Sequence, residues 1–157
     1  MSLLKLPALD PRTVEELRRS VYPEPFRSRM GDRTKRRLGD AAGLTQFGVN
    51  LVTLQPGAQS ALRHWHTHED EFVYVLEGEL VLVTDAGEQV LAAGMCAGYP
   101  AGSTDAHHFV NRSAAVARFL EIGSRTDADV AHYPDDDLMW SVDDGGFHAA
   151  HKDGRRY

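Results

Sequence analysis

The chain has 157 residues, 23 acidic and 17 basic, with 42% hydrophobic and 25% charged content, which fits one soluble domain and excludes wholesale disorder. A net charge of −6 opposes binding to phosphate backbones, and no apolar run approaches the ~20 residues of a membrane helix, so neither nucleic acid nor membrane is an expected partner. Cys96 is the sole cysteine and prolines 7 and 11 interrupt any apolar leader, so a cytoplasmic location is expected.

In chain order, Asp10-Pro11 ahead of Thr13-Val14-Glu15-Glu16-Leu17 predicts a short helix. Asp10 can accept from free amides, Pro11 suits the first turn, and the glutamates favour the positive end. Pro23 and Pro25 must end it. Residues 1–43 therefore read as one helix plus an arm. Six basic residues between Arg27 and Arg37 face only Asp32, and seven aspartates between Gly123 and Gly146 face only Arg125. Both runs are expected as solvated surface, with a meeting of the two patches, within a chain or across a symmetric dimer, as the sharper reading.

From Leu44 the texture turns to short β-type runs separated by turn residues. Phe47–Leu54 stops at Pro56-Gly57, Phe72–Leu76 and Leu80–Val83 flank an expected hairpin at Glu77-Gly78, and Gln89–Leu91 follows a turn at Asp85-Ala86-Gly87. Gly94–Tyr99, His107–Asn111 and Ala115–Ile122 supply further strands. Seven or more such strands predict an all-β barrel or sandwich. Residues 123–157 read as an arm packing on the barrel or on a partner subunit.

The stretch Arg63-His64-Trp65-His66-Thr67-His68-Glu69-Asp70-Glu71 carries the chemistry. His64 and His66 share one face of an extended strand, about 6.7 Å apart at Cα, so their rings can converge. Glu71 lies at an odd offset from His66, so the polar tetrad between them must bend the chain to bring it to the same face. A further ligand is expected from His107 or His108, and a His64/His66/His68 cluster is an alternative. Imidazoles with one carboxylate and no thiolate suit iron, manganese, nickel or zinc. Trp65 and Phe109 are expected to face away from the site, Cys96 to be a buried inert thiol, and Arg63 to form a rim salt bridge or to meet a substrate carboxylate. Glu69 and Asp70 read as turn solvation.

Gly57, His64-Trp65-His66, Glu71 and Gly78 resemble the first motif of the cupin superfamily, with the spacer before His64 one residue longer than usual. Gly94, Pro100-Ala101-Gly102, His107 and Asn111 resemble the second, with an enlarged turn before the histidine. The resemblance implies an all-β double-stranded β-helix over residues 44–122, with the short N-terminal helix and arm and the C-terminal arm outside it. It implies the metal ligands His64, His66, Glu71 and His107, leaving His68 to a turn and His108 facing away. The opening Tyr22-Pro23-Glu24-Pro25-Phe26 is similar to the arm of small bacterial cupins that form dimers, so a homodimer is expected. The functional expectation is a metal-dependent enzyme acting on a small polar organic molecule, as dioxygenase, isomerase or lyase. The alternative is a non-catalytic cupin that binds or senses a small ligand. The catalytic residues beyond the metal ligands are not assigned by the sequence.

Overall fold

Short runs of alternating apolar and polar residues, each closed by a turn, leave the chain few places to form helix. The computed structural model describes residues 4–157, so the first three residues of the predicted N-terminal segment lie outside the described residues. The chain forms β1 (Arg33–Arg37), the single-turn helix α1 (Leu38–Ala41), β2 (Phe47–Leu54), β3 (Trp65–His66), β4 (Glu71–Glu77), β5 (Glu79–Thr84) and β6 (Gly87–Ala92). It continues with β7 (Cys96–Tyr99), β8 (His108–Val110), β9 (Ala117–Ser124), β10 (Val130–Tyr133), β11 (Leu138–Asp143) and β12 (Gly146–Ala150). These strands make three antiparallel sheets, ordered β1-β2-β9-β4-β7, β12-β11-β10-β3 and β6-β5-β8. Among the described residues no helix is long and apolar enough to cross a membrane.

The core follows from strand parity. Val52 and Leu54 on β2, Val73 and Val75 on β4, and Phe119 on β9 all point inward, where they meet Leu80, Leu82 and Phe109 from the three-stranded sheet. Burying each of these large side chains stabilises the fold by roughly 1.5–3 kcal/mol. The opposite face of β4 carries Phe72, Tyr74 and Leu76 outward, as the alternation predicts, and all three are exposed. Phe109 corrects the expectation that it faces away from the site. Two residues from His107 it has the same parity, and it is 2% exposed in the barrel interior. Cys96 is corrected too: it pairs with the outward Tyr74 and is exposed, while its neighbour Ala97 packs against the core.

The turn at Glu77-Gly78 is not a hairpin. β4 pairs with β7 and β9, whereas β5 pairs with β6 and β8, so the turn passes the chain from one sheet to another. Gly78 has φ of +76°, and a Cβ there would lie 2.5 Å from the Val116 carbonyl oxygen and 2.9 Å from the Ala117 Cα. Both the left-handed backbone and the contact with a neighbouring main chain exclude a side chain. Gly78→Ala is therefore expected to lower stability by about 2 kcal/mol or more, read from the urea midpoint. An unchanged midpoint would contradict this account of the turn.

The two terminal segments differ from their expected form in the same way: tertiary pairing replaces local propensity. Asp10 does accept from the Arg12 amide, but the turn it caps is the 3-10 segment Pro11–Thr13 and goes no further. The chain then extends, and Leu17 bridges to Lys35. Much of the basic run is β1 itself. The two charged runs meet at one ion pair, Arg29 with Asp136 at 2.5 Å. The C-terminal segment is more than an arm, since β10–β12 form a meander that adds to β3 through His66 and Trp65. Tyr22, Phe26 and Met30 pack on its Tyr133, Leu138 and Trp140, so both ends of the chain share a second core.

Candidate functional site

Neighbouring segments of the barrel bring the histidines and the carboxylate together. His64 ends the loop after β2 and bridges to His107 through paired backbone hydrogen bonds of 3.1 and 2.8 Å. His66 sits on β3, held against Ala131 of β10. The chain then bends through residues 67–70, and Glu71 opens β4 on its inward face, level with Gly123. Ligand atoms of His64, His66 and Glu71 all lie within 4.8 Å of one another. Glu71 Oε2 is 3.6 Å from both His64 Nε2 and His66 Nε2, and 2.9 Å from His107 Nε2. His68, in contrast, is exposed with its Nδ1 2.8 Å from the Thr67 hydroxyl, and His108 Nδ1 lies 3.0 Å from the Ala61 carbonyl oxygen. Neither belongs to the cluster.

The hydrogen bonds around the rings decide which nitrogen is free. His64 Nδ1 is 2.7 Å from the Leu62 carbonyl oxygen, and His66 Nδ1 is 2.6 Å from Asp129 Oδ2. A carbonyl or carboxylate only accepts, so in each ring Nδ1 carries the hydrogen and a neutral ring presents its Nε2 lone pair to Glu71. Glu71 Oε2 is buried and close to three ring nitrogens, yet none is directed at it as a hydrogen-bond donor. A buried carboxylate oxygen without a donor, facing imidazole lone pairs, is a costly arrangement unless a cation sits among them. The donor set fits a divalent transition metal, with the carboxylate supplying its one negative charge.

The same closeness shifts the titration of the carboxyl and of two of the rings. Burial pushes the Glu71 carboxyl up, but His107 and His64 outweigh it and hold it well below the ordinary carboxylate range. Burial opposes charge on His64 as well, yet Glu71 raises it above the usual imidazole value. For His107 burial prevails and its value falls. Tyr99 stacks face to face on His107, with centroids 3.4 Å apart and planes at 4°, which fixes that ring from one side.

Asp129 is the residue that sequence reasoning missed. It lies in the loop before β10 and accepts from His66 Nδ1, from the His68 amide at 2.8 Å and from the Thr67 hydroxyl at 3.3 Å. Nothing local distinguished it from the other aspartates of its run; only the pairing of β10 with β3 brings it to His66. A carboxylate behind a ligating histidine fixes the ring and raises its basicity. Asp129→Asn is expected to weaken metal affinity about 10–100-fold at unchanged stoichiometry, measured by chelator competition. Unchanged affinity would show that Asp129 only holds the loop.

The cluster opens into a cavity of about 570 Å³ that also takes in Arg33, Lys35, Glu69, Glu121 and the Tyr22–Tyr133 pair. Arg63 does not line it. It pairs with Asp135 and Asp85 at the rim, the outcome expected for a salt-bridged arginine. Inside, Lys35 bonds Glu121 at 2.7 Å, and Asn50 donates to the same oxygen at 3.0 Å. Glu69 is half-buried, accepts from the Thr126 amide, and has its carboxyl raised by burial despite that bond, with the Asp129 charge adding to the rise.

Known proteins match this architecture. The Cupin domain family matches residues 50–123. A crystal structure described as a sugar phosphate isomerase from a cupin superfamily, from Silicibacter pomeroyi DSS-3, is 50% identical, covers 96% of each chain and superposes with a TM-score of 0.91. A protein from Acidithiobacillus ferrooxidans ATCC 23270, provisionally named a sugar phosphate isomerase, is 31% identical over 81% of each chain, with a TM-score of 0.72. The polyketide cyclase RemF from Streptomyces resistomycificus shares the fold at 24% identity and a TM-score of 0.60, covering 78% of this chain and 80% of its own. No curated protein matches the sequence. With half its residues identical to a cupin over nearly its whole length, the chain belongs to the cupin superfamily.

Proposed function

We propose that the chain is a metal-dependent isomerase of a small phosphorylated sugar. His64, His66, Glu71 and His107 are the residues that would hold one divalent ion, with iron, manganese, nickel and zinc all compatible with the donor set. When bound, the ion polarises a substrate carbonyl oxygen and so acidifies the neighbouring C–H. The chain's own contribution to the proton transfer falls to Glu69, a cavity carboxylate outside the proposed ligand set, 4.0 Å from His66 Nδ1. A carboxyl raised above its ordinary value can take a proton from one carbon and return it to the next, while the proton of the substrate hydroxyl passes to the former carbonyl oxygen. Such an isomerisation balances without any oxidant or reductant. The single observation that carries the reading is this pairing, in one cavity, of a metal-type donor cluster with the further carboxylate of Glu69; the names of the 50% and 31% identical relatives supply the substrate class.

The test is proton exchange. Protein loaded in turn with each of the four metals is incubated with aldose and ketose phosphates in deuterium oxide and followed by proton NMR. Interconversion with deuterium entering the carbon next to the carbonyl is expected. Metal-loaded protein that binds these compounds without exchange or interconversion would favour the binding reading instead.

Metal affinity is expected to depend on pH with a defined sign. A proton held by His64 in the metal-free protein must leave when the ion binds. Because that proton is held above the ordinary imidazole value of 6.5, affinity is full at alkaline pH and starts to fall before pH 6.5 is reached. It then falls by about tenfold per pH unit for each proton displaced. Glu71, held well below its usual value, contributes nothing in that window. A profile flat from pH 8 to pH 5 would remove the imidazoles from the ligand set.

A further inference from the structure

The cavity has a second pole. Arg33 and Lys35 stand opposite Leu54 and Val52, whose side chains are in the core, so both cations share the inward face of β1. Lys35 is neutralised by Glu121, and Arg36, on the outward face, by Glu16. The other arginine of the lining, Arg125, bonds Asp40. Arg33 makes no ion pair among the described residues, and its Nε is shielded from solvent with no acceptor. An arginine nitrogen in that condition lacks a partner that folding alone would be expected to supply, since leaving a charged donor unsatisfied is costly.

Its position along the sheet separates it from the donor cluster. Glu71 is level with Gly123, which is level with Gly48 of β2; Arg33 is level with Leu54, six residues further along the same strand. Both ends nevertheless line one cavity. We infer that Arg33 is the receptor for an anionic group at the end of the ligand remote from the metal-type cluster, and that this group is a phosphate monoester. The planar fork of a guanidinium matches two oxygens of such an anion. The choice of phosphate rests on the isomerase reading, whereas the anion subsite can be tested without turnover.

The test uses metal-free full-length protein, so that no ion competes for the anion, and calorimetric titration with inorganic phosphate and with acetate. Wild type is expected to bind phosphate more tightly than acetate. Arg33→Gln should weaken phosphate at least about tenfold, the loss of one charge-assisted pair, while Arg112→Gln, at a surface pair with Glu88, should leave it unchanged. Should Arg33→Gln fail to fold, Arg33→Lys keeps the charge without the fork and is expected to weaken phosphate severalfold. No phosphate binding by wild type, or equal binding by the Arg33 variants, overturns the assignment; acetate binding as tight as phosphate overturns the phosphate class. Phosphate binding that depends on Arg33 in a protein without deuterium exchange would retain the subsite and reject the isomerase.

Discussion

Glu71→Gln is expected to reduce divalent-metal affinity by about 100-fold or more, since loss of an outer partner of a ligand already costs 10–100-fold. The substitution keeps the shape of the side chain and removes its charge. Glu71 is the one anionic member of the cluster, so three neutral rings and an amide would be left to hold a doubly charged ion. The amide must also choose between turning its oxygen or its NH2 toward the rings. Metal content after dialysis and competition with a chelator give the affinity, and the melting of the metal-free variant gives a control. The loss should appear in metal binding far more than in melting of the metal-free form. A variant that retains its metal at wild-type affinity would take Glu71 out of the ligand set, and the exposed His68, already bonded to Thr67, offers no ready replacement.

The reason this cluster was legible in the sequence is that most of its geometry is local. His64 and His66 lie two residues apart, and the His66-to-Glu71 offset demanded a bend that residues 67–70 supply, with Gly102 donating its amide to the His66 carbonyl at 2.8 Å. His107 was separable from His108 by motif spacing, and the structure turns His108 to Ala61. What stayed hidden depends on pairing between distant strands. The basic run from Arg33 to Arg37 has no apolar alternation, so nothing marks it as a strand; it becomes one because β2 offers an open edge, with register from Arg33–Leu54 to Arg37–Asn50. The turn at Gly78 has the composition of a hairpin, and only the competing partners of β4 and β5 make it a crossover. Cys96 was misplaced because a run such as Met95-Cys96-Ala97 does not state its own parity, whereas the pairing with Tyr74 does. The C-terminal aspartates conceal Asp129 for the same reason.

His66→Ala should abolish stable metal binding, with the metal lost on dialysis under conditions where the wild type keeps it. His66 is the point where three parts of the molecule meet: β3 carries it, β10 braces it through Ala131, and Asp129 orients its ring. Truncation removes a proposed ligand nitrogen and also leaves Asp129 without its closest partner. That carboxylate is held below its ordinary value against burial by His66 together with the His68 amide, so its charge loses a main support. The comparison with Asp129→Asn separates the two contributions. If His66 acts as a ligand, its removal must cost far more affinity than that of the orienting aspartate, and both losses must appear with little change in the melting temperature of the metal-free protein. If the two variants lose the same modest affinity, the ring only organises the loop, and the ion is held by the others. Full metal occupancy in His66→Ala would go further and reject the proposed metal centre, because a cluster that does not need an imidazole braced by both β10 and Asp129 is not organised around a cation.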